Sequence, residues 1–190
     1  MNPLKKVTAL GLAVCLATTL PLFGKEVAGV TLPDTITVES KTLKLNGAGL
    51  RTKAIFKVYV GGLYLETPSK DAATVVSSDQ VKRMHLSILR SLDRSKITEA
   101  ISEGFEKNSK SQLPALKARL DKLNSMIPNV EKGDQILMTY VPGRGTMVTA
   151  QNVEKGVIEG KDFADALFSV WLGANPVQED LKKALLGPSS

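Results

Sequence analysis

LNGAGLRTKAIFKVYVGGLYLE, residues 45–66, brings glycine, aromatic and β-branched residues together and decides how the rest of the chain is read. Its alternation reads as extended chain, because β-branched and aromatic side chains suit a pleated, half-buried surface. Gly47 and Gly49 permit a bulge or a close backbone approach. Arg51 and Lys53 stand where a buried strand carries Val or Ile, and a cation there needs a carboxylate, solvent or a ligand beside it.

Arg51 and Tyr59 are the candidate site residues. A guanidinium and a phenol can hold one carboxylate between them through charge-assisted hydrogen bonds. On one straight strand, eight steps of about 3.3 Å would part them by roughly 26 Å. A bend or tight hairpin between Lys53 and Phe56 is therefore required, although that stretch holds neither Gly nor Pro. The alternative is structural: Arg51 pairs with an acid of the protein, and Tyr59 is a core aromatic with its hydroxyl satisfied.

Upstream, the run TITVESKTLKL alternates like a strand or hairpin with one wet face. Downstream, DAATVVSSD suits a short helix capped near Ser69. VKRMHLSILR, residues 81–90, returns to strand, with Met84, Leu86 and Ile88 toward the core and Arg83, His85 and Ser87 on the other face. A helix capped by Asp93 or Ser95 follows, carrying Ile97, Ala100, Ile101, Gly104 and Phe105 at helical spacing. Leu113, Leu116, Leu120 and Leu123 stripe a second helix. Residues 135–160 read as a meander of about three strands. Two helices close the chain, one with Phe163, Ala166, Leu167, Val170 and Trp171, the other with Val177, Leu181, Ala184 and Leu185. Strands, helices, strands and helices without a βαβ repeat indicate an α+β fold, an antiparallel sheet with helices packed on it.

The 190 residues suit one domain, expected over residues 30–187. The first 24 read as a secretory signal, with Lys5 and Lys6 ahead of the apolar run VTALGLAVCLATTLPLF. Gly24 or Ala28 can end it. Losing those residues removes two lysines and no acids, so the formal net charge of +6 falls to +4. The mature chain is expected in the periplasm or outside the cell, with membrane contact only through an uncleaved signal. The single cysteine, Cys15, lies in the signal, leaving no disulfide, thiol nucleophile or thiolate ligand. Basic residues are scattered among acids without interleaved aromatics, which argues against nucleic acid as a partner. No P-loop, dinucleotide fingerprint, nucleophile elbow or metal-ligand cluster is present, so no metal or cofactor is expected. The one histidine, His85, reads as a surface or groove residue. Gly143 and Gly145 around Arg144 read as a hairpin loop.

GAGLR, then FKVYVGGLYLE, resembles the chalcone isomerase superfamily, in particular its bacterial chalcone isomerase-like members. MHLSILRSLDRSKITEAISEGFEKN is similar to the family's central strand and helix, and VWLGANPVQEDLKKALLG to a C-terminal signature of the bacterial branch. The resemblance implies an open-faced β-sandwich, a large antiparallel sheet covered by helices, with an apolar cleft between the layers. In the plant enzymes that cleft closes a chalcone into a flavanone with an arginine, a threonine, a tyrosine, an asparagine and a further hydroxyl. The arginine carries over onto Arg51. Tyr59 stands for the threonine, Asp93 or its neighbour for the tyrosine, Ala100 for the asparagine, and Val170 or Ser169 for the last hydroxyl.

The fatty-acid-binding branch of the superfamily uses an arginine and a tyrosine on a carboxylate, and Arg51 and Tyr59 match that pair. The resemblance thus implies a non-catalytic binder of a fatty acid or similar apolar carboxylate. The alternatives are an isomerase acting on a chalcone-like unsaturated carbonyl compound, with Arg51 as its catalytic group, and an envelope interaction protein with a vestigial cleft.

Overall fold

In the computed structural model the described residues are 24–187. The expected signal, apart from Gly24, lies outside them.

Seven strands form one sheet in chain order: β3 (Thr35–Val38), β4 (Lys41–Lys53), β5 (Phe56–Leu65), β6 (Lys82–Ile88), β7 (Gln135–Val141), β8 (Gly145–Ala150) and β9 (Val153–Ile158). Every neighbouring pair is antiparallel. Short turns suffice for most connections, and the expected meander is β7–β8–β9. A separate hairpin of β1 (Gly24–Val27) and β2 (Val30–Pro33) precedes the sheet.

The helices α1 (Ala72–Ser77), α2 (Arg94–Asn108), α3 (Leu113–Met126), α4 (Lys161–Leu172) and α5 (Glu179–Leu186) accompany this sheet. Its inner face supplies Leu63, Met84, Leu86, Ile88, Ile136, Met138 and Val148 to the main core. As expected from alternation, Arg83, His85 and Ser87 take the other face. The leucine stripe of α3 is buried at Leu116, Leu120 and Leu123. Helix α4 is the central one, with eight buried residues from Phe163 to Leu172. Such all-round burial requires neighbours on several sides. Gly104 of α2 allows one of them to come close, because a Cβ there would stand 2.7 Å from Cγ1 of Val170.

The outer face is not bare. The β1–β2 hairpin lays Leu32 over Ala48 and Val60, and Tyr64 donates to the Pro33 carbonyl at 2.9 Å. Gly62 makes room for Leu32, whose Cδ1 would lie 2.7 Å from a Cβ at that position.

One cap differs from expectation, and another holds its expected position without its side-chain bond. Asp71, not Ser69, accepts from the Thr74 N–H at the start of α1. Asp93 holds the N-cap position of α2 without a side-chain bond to it. At the other end of α1 lies Lys82, fully buried, whose Nζ donates to the carbonyls of Val75, Val76 and Ser78 at 3.0, 2.5 and 3.1 Å. Carbonyls left open at a helix C-terminus attract a cation. Burial nevertheless pushes the Lys82 ammonium down to about 8, against the opposing pull of Asp165 at 3.7 Å.

Candidate ligand-binding cleft

Strands β4 and β5 meet in a two-residue hairpin. Lys53 pairs with Phe56, leaving Ala54 and Ile55 as the turn. Ala54 takes a left-handed φ of 52°, a conformation usually given to Gly or Asn. Here the bend demanded by the Arg51–Tyr59 spacing is made without either residue.

A register shift follows at once. Thr52 pairs with Lys57, but Arg51 pairs with Tyr59, so Val58 is the extra residue of a bulge. Without it Arg51 would face Val58, and Tyr59 would turn to the opposite face. The bulge makes Arg51 and Tyr59 direct cross-strand partners on the inner side. Directly opposed residues of this kind hold their Cβ atoms about 5 Å apart.

Each side chain is then held from the C-terminal part of the chain. Nη1 of Arg51 donates to Oε1 of Gln178 at 3.2 Å and to the neighbouring Thr52 carbonyl. The same Gln178 oxygen accepts from the Thr52 N–H at 2.9 Å. Gln178 reaches this point because α5 lies directly on glycine backbone: a Cβ at Gly47 would collide with the carbonyls of Ala184 and Leu185, and one at Gly49 with Cβ of Ala184. Asn46 fastens the same junction, donating to the carbonyls of Ser69 and Leu185 at 3.0 and 2.9 Å.

The Tyr59 hydroxyl accepts from Nε1 of Trp171 at 2.8 Å. Burial pushes the phenol up to about 12, although the Trp171 bond and the nearby Arg51 charge both pull it back. At neutral pH the group therefore keeps its proton. With Trp171 on its lone pair, that proton is available to an acceptor in the cleft.

Arg51 and Tyr59 both line a cleft of about 190 Å³ between the sheet and helices α2 and α4. Its walls are largely apolar, with Leu86, Ile88, Ile97, Ile101, Ile136 and Val170 among them. Three further cations, Lys53, Arg90 and Lys96, join Arg51, and among the described residues no carboxylate lines the space. Among the described residues Arg51 has no ion pair. The alternative that it pairs with an acid of the protein is corrected: its acceptors are neutral oxygens. The structural reading of Tyr59 holds in part, since its hydroxyl has a partner within the protein.

A family model described as chalcone isomerase-like matches residues 24–187. The chain belongs to the chalcone isomerase-like family. No curated protein matches this member of it. Its fold is similar to the crystal structure of an Arabidopsis thaliana fatty-acid binding protein, with a TM-score of 0.67 over 83% of this chain and 92% of that one at 17% identity. The likeness extends to the curled seven-stranded sheet and its helices, the expected α+β open-faced sandwich.

Of the positions that stand for the plant enzymes' polar groups, Ala100 and Val170 line the chalcone isomerase-like cleft. Ser169 belongs to a separate depression beside α1, where its hydroxyl donates to the Asp165 carbonyl at 2.8 Å. Asp93 does not line the cleft, but its neighbour Leu92 does, with an apolar side chain in place of the tyrosine.

Sequence reasoning missed Gln178 and the bond between Trp171 and Tyr59. Gln178 had a faint signal, because it occupies the N-cap of α5 without capping it, and glutamine is a poor choice there. Trp171 read only as part of an apolar stripe. His85 is half-buried on the sheet face away from the cleft, where its ring stacks on Tyr64 with centroids 6.4 Å apart and lies 3.2 Å from Oγ of Ser87. Among the described residues no group of three His, Cys, Asp or Glu is placed to hold a metal ion.

Proposed function

We propose that this chalcone isomerase-like protein is a non-catalytic binder of a fatty acid or similar apolar carboxylate. Arg51 and Tyr59 take the head group, and the walls of the cleft take the tail. The observation that carries the reading is the cross-strand pairing of Arg51 with Tyr59 at an apolar cleft, with neutral oxygens as the only partners of the guanidinium among the described residues. A charge of this kind, at a site lined by further cations, favours an anion that arrives with its own apolar cover. The Arabidopsis fatty-acid binding protein of the same fold adds support. Burial of the tail would supply most of the affinity. We place the protein in the periplasm or outside the cell, on the character of residues 1–24 alone; a mature mass beginning near Gly24 or Ala28 would bear this out.

The isomerase alternative has less behind it. Tyr59 holds its proton firmly, and Ala100 and Val170 offer neither a proton nor an oriented hydrogen bond to a reacting enolate.

Trp171, the sole tryptophan, lines the cleft and reports its occupancy. Titration with dodecanoate should change its emission saturably. Arg51→Ala should weaken binding at least ten-fold, and dodecanol should bind far less tightly than the acid. No saturable change with any acid would overturn the reading.

A further inference from the structure

The hairpin that joins Arg51 to Tyr59 carries more than the bend requires. Ile55, at its tip, is 89% exposed, and the adjacent Phe56 is 52% exposed. Turn positions normally hold Gly, Asn or Asp; here a left-handed alanine presents a bare isoleucine. Three cations of the hairpin and the cleft rim flank this apolar tip, Lys53, Lys57 and Arg90, with the Arg90 guanidinium 4.3 Å from the Phe56 ring centroid, whereas Lys96 is ion-paired with Glu99 at 3.5 Å. Lys53, Phe56, Arg90 and Lys96 also line the cleft, so the tip borders its entrance.

We propose that the Ala54–Ile55 hairpin tip docks the protein on an anionic phospholipid bilayer, bringing the cleft entrance to the membrane surface. An exposed aliphatic and aromatic pair enters the boundary between head groups and acyl chains, while flanking Lys and Arg side chains meet the lipid phosphates. Charge complementarity selects this occupant: a cationic collar around an apolar point fits an anionic interface and repels a second copy of itself. Each cation near such a surface adds roughly a five-fold gain, which salt removes. This contact is separate from the one the sequence suggested through an uncleaved signal. It also stands independently of ligand binding, because neither Ile55 nor Lys57 lines the cleft.

The test uses the chain from Gly24 onward, which carries every strand and helix described and the whole family match. Co-sedimentation is measured with vesicles of phosphatidylcholine alone and of phosphatidylcholine with an equal share of phosphatidylglycerol. Binding at least ten-fold tighter to the anionic vesicles, lost in high salt, is expected. Ile55→Asp should weaken it at least ten-fold and Lys57→Glu several-fold, with unchanged thermal unfolding and unchanged dodecanoate titration in solution. Failure of the titration alone would sink the ligand reading and leave this one intact. Absence of vesicle binding, or equal binding by Ile55→Asp, would overturn the docking proposal. Self-association abolished by Ile55→Asp, without vesicle binding, would assign the tip to a second copy and overturn it too.

Discussion

Arg51 keeps an uncompensated charge because its acceptors, the Thr52 carbonyl and Gln178, are neutral. Gln178→Glu would place a carboxylate where the amide oxygen now stands, 3.2 Å from Nη1. The Thr52 N–H would keep its acceptor, so stability should hold, but the built-in acid would compete with a ligand's. Dodecanoate affinity should fall at least ten-fold while the unfolding temperature stays within a few degrees. Gln178→Leu should do the reverse in part: it leaves the Thr52 N–H unpaired and lowers stability by about 1–3 kcal/mol in denaturant titration. His85 is a second residue-scale case. Burial, with Arg83 beside it, pushes the imidazole down to about 4. The unfolded chain therefore binds the proton first, near pH 6.5, and the His85 contribution is complete above that and lost as pH falls toward 4. Its size is on the order of 2–3 kcal/mol. His85→Gln should flatten the stability profile between pH 6.5 and 4. An unaltered slope there would place the acid sensitivity in the carboxylates.

At the scale of elements, helix α5 depends on the glycines of β4. Gly47→Ala would drive a methyl group into the carbonyls of Ala184 and Leu185, where neither backbone can yield cheaply. A loss of about 1–3 kcal/mol is expected from overpacking of this kind. Because Gln178 leads into α5, acid binding should weaken as well, and the fluorescence titration would show it. Strands and long helices were readable because periods of 2 and 3.6 are imposed by burial on one side: Met84, Leu86 and Ile88 for β6, the leucines for α3. The hairpin at Ala54–Ile55 was demanded by distance and not signalled by composition, since both residues defy the usual turn chemistry. Lys82 was invisible for a related reason. A lysine at a strand's start reads as solvated, and only the end of α1, brought against it by the tertiary fold, gives its ammonium carbonyls to hold.

For the molecule as a whole, the cleft of about 190 Å³ falls below the ~300–1,000 Å³ typical of small-molecule sites. A long acyl chain must reach out past the Phe56 entrance or push α2 and α4 apart. Affinity across octanoate, dodecanoate and hexadecanoate should therefore rise by about four-fold per methylene while the cleft fills, then level off. A gain sustained to sixteen carbons would show that the helices separate. The family match and the sheet were legible because they rest on patterns spread along the chain. The site was legible only as far as Arg51 and Tyr59, because its remaining parts are contributed across large sequence distances.

Those distances bear on when the site comes into being. Arg51 and Tyr59 are made 127 and 112 residues before Gln178 and Trp171, the partners that orient them. A chain clipped before Trp171 keeps every strand segment, yet it leaves Arg51 unanchored and the cleft without its Trp171 wall. Competence at the head-group end thus waits for Gln178, and strand pairing alone gives a sheet with nothing ready to receive a ligand.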